Sequence, residues 1–110
     1  MAFVLQQNND TPIDWPVKVN VPRSGGKVER QAFTARFKQL DQEEIDDKAA
    51  QGDAEFVREI LVGWEGVKDI DGNVIEYSES GRDIMIRTVH VRKAILAAYF
   101  ECMSGITRKN

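Results

Sequence analysis

A chain with one histidine, His90, and one cysteine, Cys102, has few routes to covalent or metal chemistry. A nucleophile needs a base beside it, acid–base catalysis needs groups that converge, and zinc needs several Cys or His ligands. His90 stands among Arg87, Arg92 and Lys93, whose charges disfavour its protonated form, so it is expected at a surface or helix start without a chemical role. Asp69, Asp71 and Asn73 alternate as calcium ligands do, but Gly72 is misplaced and no Glu stands where the final bidentate ligand is required, so a tight turn is expected. Ser24-Gly25-Gly26-Lys27 lacks the glycine spacing and the following Ser or Thr of a phosphate loop, and lies between extended segments, so it is expected to reverse the chain. No catalytic, cofactor-binding or metal residue is assigned, and no cofactor is expected. The side chains left are suited to holding a partner. Arg82, Arg87, Arg92 and Lys93 form a local positive cluster that suits phosphates or an acidic partner, with a solvated helical face as the competing role. Phe100, Met103 and Ile106 suit an apolar partner surface, with burial of a central helix as the competing role.

Composition narrows the setting. With 110 residues, 42% of them hydrophobic, the chain suits a single domain spanning 1–110. Its 15 Lys and Arg against 18 Asp and Glu give a net charge of −3, whereas dedicated nucleic-acid binders usually carry a basic excess. Nucleic acid is therefore a poor candidate partner. Cys102 has no second cysteine to pair with, which fits a reducing compartment. Residues 1–5 are apolar but lead directly into Gln6-Gln7-Asn8-Asn9-Asp10, without the basic start and cleavage site of a signal peptide. The apolar run at 94–100 is far shorter than the roughly 20 residues of a membrane span. A soluble cytoplasmic protein is expected, without a membrane partner.

The elements that must position these side chains follow from periodicity. Trp15, Val17, Val19 and Val21 alternate with Pro16, Lys18 and Asn20 as in a half-buried strand. Pro22-Arg23-Ser24-Gly25-Gly26 supplies a turn, and a returning segment over 27–38 places Phe33 and Phe37 on an inner face, giving a hairpin over about 14–39. Residues 3–5 are too few to show whether they add a third strand. Asp41 and Glu44 have capping-box spacing for a helix running to Ala50. Gly52 breaks that helix and Asp53 is expected to cap a second, with Phe56, Val57, Ile60, Leu61 and Trp64 on one face and Gly63 and Gly66 helping to end it. Residues 74–77 look extended, and Ser78 suits the cap of a short third helix holding Ile84 and Met85. A last helix over about 89–103, ended by Gly105, carries Val91, Ile95, Leu96, Ala98, Tyr99, Cys102 and Met103. The helical part extends over about 41–106. A hairpin followed by about four helices predicts an α+β domain.

One ordered pattern runs through nearly the whole chain. It begins with Trp15-Pro16-Val17, Val21-Pro22, Gly25-Gly26 and Phe33-Thr34-Ala35-Arg36-Phe37-Lys38-Gln39-Leu40. It continues with Val62-Gly63-Trp64-Glu65-Gly66-Val67-Lys68-Asp69, Asp71-Gly72, Tyr77-Ser78, Val91-Arg92-Lys93-Ala94-Ile95, Ala98-Tyr99 and Arg108-Lys109-Asn110. Together these resemble the tail assembly chaperones of long-tailed phages and prophages, with the Trp-Glu-Gly-Val block and its Asp-Gly turn as the most specific part. Residues 81–88 depart from the leucine-rich short helix often found there in the family. The resemblance implies a non-enzymatic protein that binds the long, largely helical tape measure protein, helps recruit tail-tube subunits, needs no cofactor and is absent from the mature virion. It also implies a longer form made by a minus-one frameshift, and Arg108-Lys109-Asn110 is compatible with codons spelling the slippery A-AAA-AAC. Weak self-association through the last helix is a further expectation. Two rivals stand beside this reading: a structural minor tail or tail-completion protein, and a small nucleic-acid-binding regulator using the cations at 82–93.

Overall fold

The alternation in the first third of the chain becomes a long hairpin. In the computed structural model, which describes residues 1–5 and 11–105, β1 (Ile13–Arg23) pairs antiparallel with β2 (Lys27–Phe37), from Ile13 opposite Phe37 to Arg23 opposite Lys27. Gly25 and Gly26 close the turn at φ of +80° and +75°, where a side chain would be strained. Pro16 and Pro22 lie on β1, an outer strand of the sheet, where their missing N–H groups need not cost a ladder bond. Val17, Val19, Ala35 and Phe37 are buried on the inner face, with Trp15, Val21 and Phe33 half-buried. Residues 22–32 are all exposed, so the distal hairpin projects past the rest of the molecule, which measures 48 Å along its longest axis against 32 and 26 Å across it.

A third strand, β3 (Leu61–Glu65), stands where helical spacing predicts the end of a helix. The second helix stops at Ile60, and the chain passes directly into extended backbone at Leu61, with φ −90° and ψ 102°. β3 pairs antiparallel with β2, with Phe37 opposite Leu61 and Arg36 opposite Gly63, so Val62 is an extra residue in a bulge. That extra residue explains the misleading pattern. In a regular strand, residues three apart face opposite ways, but across a bulge Leu61 and Trp64 both point inward, imitating the i, i+3 spacing of a helix. Pairing here also gives the second edge of β2 backbone partners over Thr34 to Phe37. Gly63 therefore lies within the strand instead of ending a helix, and Gly66, at φ +82°, turns the chain after it. Residues 3–5 are exposed and form no strand.

The helices follow their caps. Asp41 closes a full capping box on α1 (Gln42–Ala50): its carboxylate accepts from the Glu44 N–H at 2.8 Å, and Glu44 accepts from the Asp41 N–H at 3.2 Å. Because α1 buries no residue fully, the cap is a large part of what holds it; Asp41→Ala is expected to cost about 1 kcal/mol in urea unfolding. α2 (Asp53–Ile60) is capped by Gly52, not by Asp53. The Gly52 carbonyl accepts the Phe56 N–H at 3.0 Å, which puts Asp53 one position inside the helix. α2 buries Phe56, Val57 and Ile60. Ser78 caps α3 (Glu79–Arg87) by accepting from the Gly81 N–H, and here Ile86 is the buried residue while Ile84 is exposed. α4 (Val89–Ser104) ends on Gly105 at φ +68° and buries Ile95, Ala98, Tyr99 and Cys102, one face at i, i+3, i+4 and i+7. It packs across β1, touching α2 and α3 as well. The architecture is thus an α+β arrangement of a three-stranded antiparallel sheet, in the order β1-β2-β3, with four helices.

Candidate partner-binding surface

The four cations near the start of α4 share a stretch of chain but not one surface. Arg82 is mostly buried, and its Nη1 donates to the Arg58 carbonyl at 3.4 Å and to the Tyr77 hydroxyl at 3.3 Å, while its Nε lies 3.9 Å from Asp83. It therefore straps α3 to α2. Arg92 donates to the Ile86 carbonyl at 3.0 Å and straps α4 to the end of α3. Of the four, only Arg87 and Lys93 are exposed. Phe100 is 45% exposed and packs on the rings of Phe56 and Tyr99, at centroid distances of 5.5 Å and 6.0 Å. Met103, one turn on, is half-buried against the core. Phe100 lies about 12 Å further along the helix axis than Arg92, at 1.5 Å of rise per residue. Ile106, like Arg108-Lys109-Asn110 and residues 6–10, lies outside the described residues.

The remaining candidates have local roles. The Asp69 carboxylate accepts from the N–H groups of Asn73 and Asp71, each at 2.9 Å, and those bonds hold it below the usual carboxylate range. With Gly72 at φ +85°, this is the tight turn that the residues predict. Burial pushes the Cys102 thiol up. Burial pushes the Tyr99 hydroxyl up to about 12. Among the described residues no three His, Cys, Asp or Glu side chains gather to hold a metal ion. No helix among them is long and apolar enough to cross a membrane.

The surface most suited to a partner is one that sequence reasoning missed. Between the projecting hairpin and the α3–α4 junction lies an open trough of about 350 Å³. Its floor is apolar: Val21 and Phe33 come from the hairpin, Val67 from the segment after β3, and Met85 and Val91 from the helices. All five are half-buried, so they hold the core on one side and meet solvent on the other. Ile84, 56% exposed, lies at the side of the trough. The charged or titratable residues that line it are Arg23, Lys68 and His90. The geometry has a simple cause. Eleven-residue strands run about 36 Å at 3.3 Å per residue, whereas α4, the sixteen-residue helix that packs across β1, is about 24 Å long, so part of the hairpin's inner face has no helix over it.

A second, smaller groove of about 250 Å³ runs between β1 and α4, with Trp15 and Pro16 facing Ala94 and Ala97. Lys18 and Glu101 line it together, so it offers no single sign of charge to a partner. Compared with the profiles of protein families, with curated proteins and with solved structures, the chain matches none.

Proposed function

We propose that the protein is a non-enzymatic tail assembly chaperone of a long-tailed phage or prophage, acting in the host cytoplasm on the tape measure protein and on tail-tube subunits. The ordered Trp-Glu-Gly-Val and Asp-Gly pattern suggests the family, and the trough is the observation that supports the activity. A tape measure protein is long and largely helical, and its amphipathic segments aggregate unless their apolar stripes are covered before the tube assembles around them. A half-open apolar floor suits that task because it covers side chains without enclosing them. Burial gains only about 25 cal/mol per Å² of apolar surface, before the cost of ordering both partners, so a short contact of this kind releases readily when tube subunits arrive.

Co-expression with the tape measure protein encoded beside it tests the proposal. The expected result is a several-fold rise in soluble tape measure protein, and unchanged solubility refutes the chaperone reading. A structural tail component would instead persist in purified virions, where mass spectrometry is expected to find none of this protein.

A further inference from the structure

We infer that the trough at the α3–α4 junction takes an amphipathic helix whose apolar stripe is flanked by carboxylates. The inference deepens the chaperone reading and rests on it for the natural source of that helix, segments of the tape measure protein. Its first support is charge. The chain carries 18 acidic against 15 basic residues, yet Arg23 and Lys68 line the trough, and no carboxylate does so among the described residues. Arg23 is already paired with Glu29 at 3.0 Å, which leaves the exposed Lys68 as the main fixed charge of the rim. The start of α4 adds to it. Thr88 donates its hydroxyl to the Ile84 carbonyl at 2.9 Å, no side chain caps α4, and its first turn holds no acidic residue. The free N–H groups at that end thus lie beside Thr88 and Val91, both of which line the trough. α3 ends on the same Thr88 and its dipole offsets that of α4, so the donors and not a net field are what a carboxylate would meet there.

The second support concerns the shape of the partner. Val21, Phe33, Val67, Met85 and Val91 reach the floor from the hairpin, the segment after β3 and two helices, so the trough offers chiefly apolar side chains drawn from several elements. A partner there is held by side chains against an apolar floor, which is how an amphipathic helix binds. The third support removes the nearest competitor. Phe3, Val4 and Leu5 are exposed and apolar and would suit the floor from a second copy, but residues 1–5 bring no carboxylate to the rim.

Two synthetic helical peptides of about 20 residues with the same leucine stripe, one flanked by Glu and one by Lys, provide the test. The Glu-flanked peptide is expected to bind about tenfold more tightly than the Lys-flanked one, a preference that weakens as salt rises. Ile84→Glu and Lys68→Glu each place a carboxylate at an exposed position of the trough, and each is expected to weaken binding of the Glu-flanked peptide about tenfold without changing the melting temperature. Lys93→Glu, exposed on α4 but not lining the trough, is expected to leave binding unchanged. Equal binding of the two peptides, absence of binding, or indifference to Ile84→Glu overturns the inference. So does a wild-type dimer in sedimentation that Ile84→Glu dissociates, because the trough would then belong to a second copy. If the two trough variants still keep the tape measure protein soluble, the trough is wrong and the chaperone reading stands. If the Glu-flanked peptide binds as expected while tape measure solubility is unaffected by the wild-type protein, the chaperone reading fails and the trough stands.

Discussion

Tyr99→Ala is expected to leave the protein largely unfolded, and Tyr99→Phe to lower its stability by about 2–3 kcal/mol, both read from urea unfolding. Tyr99 is fully buried at the centre of α4 and meets the rings of Phe37 and Phe56 edge-on, at 5.2 Å and 5.6 Å. Truncating a buried aromatic costs about 3–5 kcal/mol, against a total of about 5–15 kcal/mol for a domain. The hydroxyl adds a separate contribution. It donates to the Lys38 carbonyl at 3.0 Å and accepts from the Leu40 N–H at 3.1 Å, pinning the passage from β2 to α1 onto a helix some sixty residues later in the chain. Tyr99→Phe keeps the rings in contact and leaves those two backbone groups without a partner, which is why a single oxygen atom is expected to matter so much. The same hydroxyl sets an alkaline limit. Its ordinary value is about 10 and burial raises it to about 12, so between those values the folded state holds a proton that the unfolded chain has released. Stability is therefore unaffected by this group below about pH 10 and falls as pH rises toward 12. That portion of the alkaline loss is expected to disappear in Tyr99→Phe.

What the sequence makes legible is what depends on near neighbours. The hairpin follows from alternation and two adjacent glycines, and the capping box at Asp41 and the stop at Gly105 follow from local donor and acceptor accounting. Leu61 and Trp64 deceive because a bulge at Val62 gives strand residues helical spacing, and the bulge is set by pairing with β2, which no local window contains. Arg82 and Arg92 deceive for a related reason. Their charge suggests a surface, but both donate to backbone carbonyls, of Arg58 and Ile86, that only the assembled helices bring within reach. The trough is hidden differently. Val21, Phe33, Met85 and Val91 all look like core residues, and they are; their second role depends on where the helices run out, a comparison of element lengths that a residue-by-residue pattern does not make.

Trp64→Ala, the second large effect, is expected to cost about 3–5 kcal/mol and to loosen residues 66–78 before the rest of the domain unfolds. Trp64 is 8% exposed, and its indole Nε1 donates to the Ile75 carbonyl at 2.8 Å while its ring meets Tyr77 edge-on at 4.9 Å. It therefore ties β3 to the later part of the connection that follows it. α3 closes over the same ring: a Cβ placed on Gly81 would come within 3.1 Å of Trp64 Cη2, so Gly81→Val is expected to disturb this contact from the opposite side. Trp64→Phe keeps an aromatic ring but loses the bond to Ile75, and about 1 kcal/mol is expected from that loss alone. Hydrogen exchange locates the damage, since protection should fall first at the Ile75 N–H, which donates to the Val67 carbonyl at 2.9 Å. The consequence for function is specific. Val67 and Lys68 reach the trough from the segment after β3, which is bonded to Ile75 and through it to Trp64, so Trp64→Ala is expected to lose partner binding together with local order. Ile84→Glu is expected to lose binding with order intact, and comparing the two separates a surface that binds from a scaffold that merely supports it.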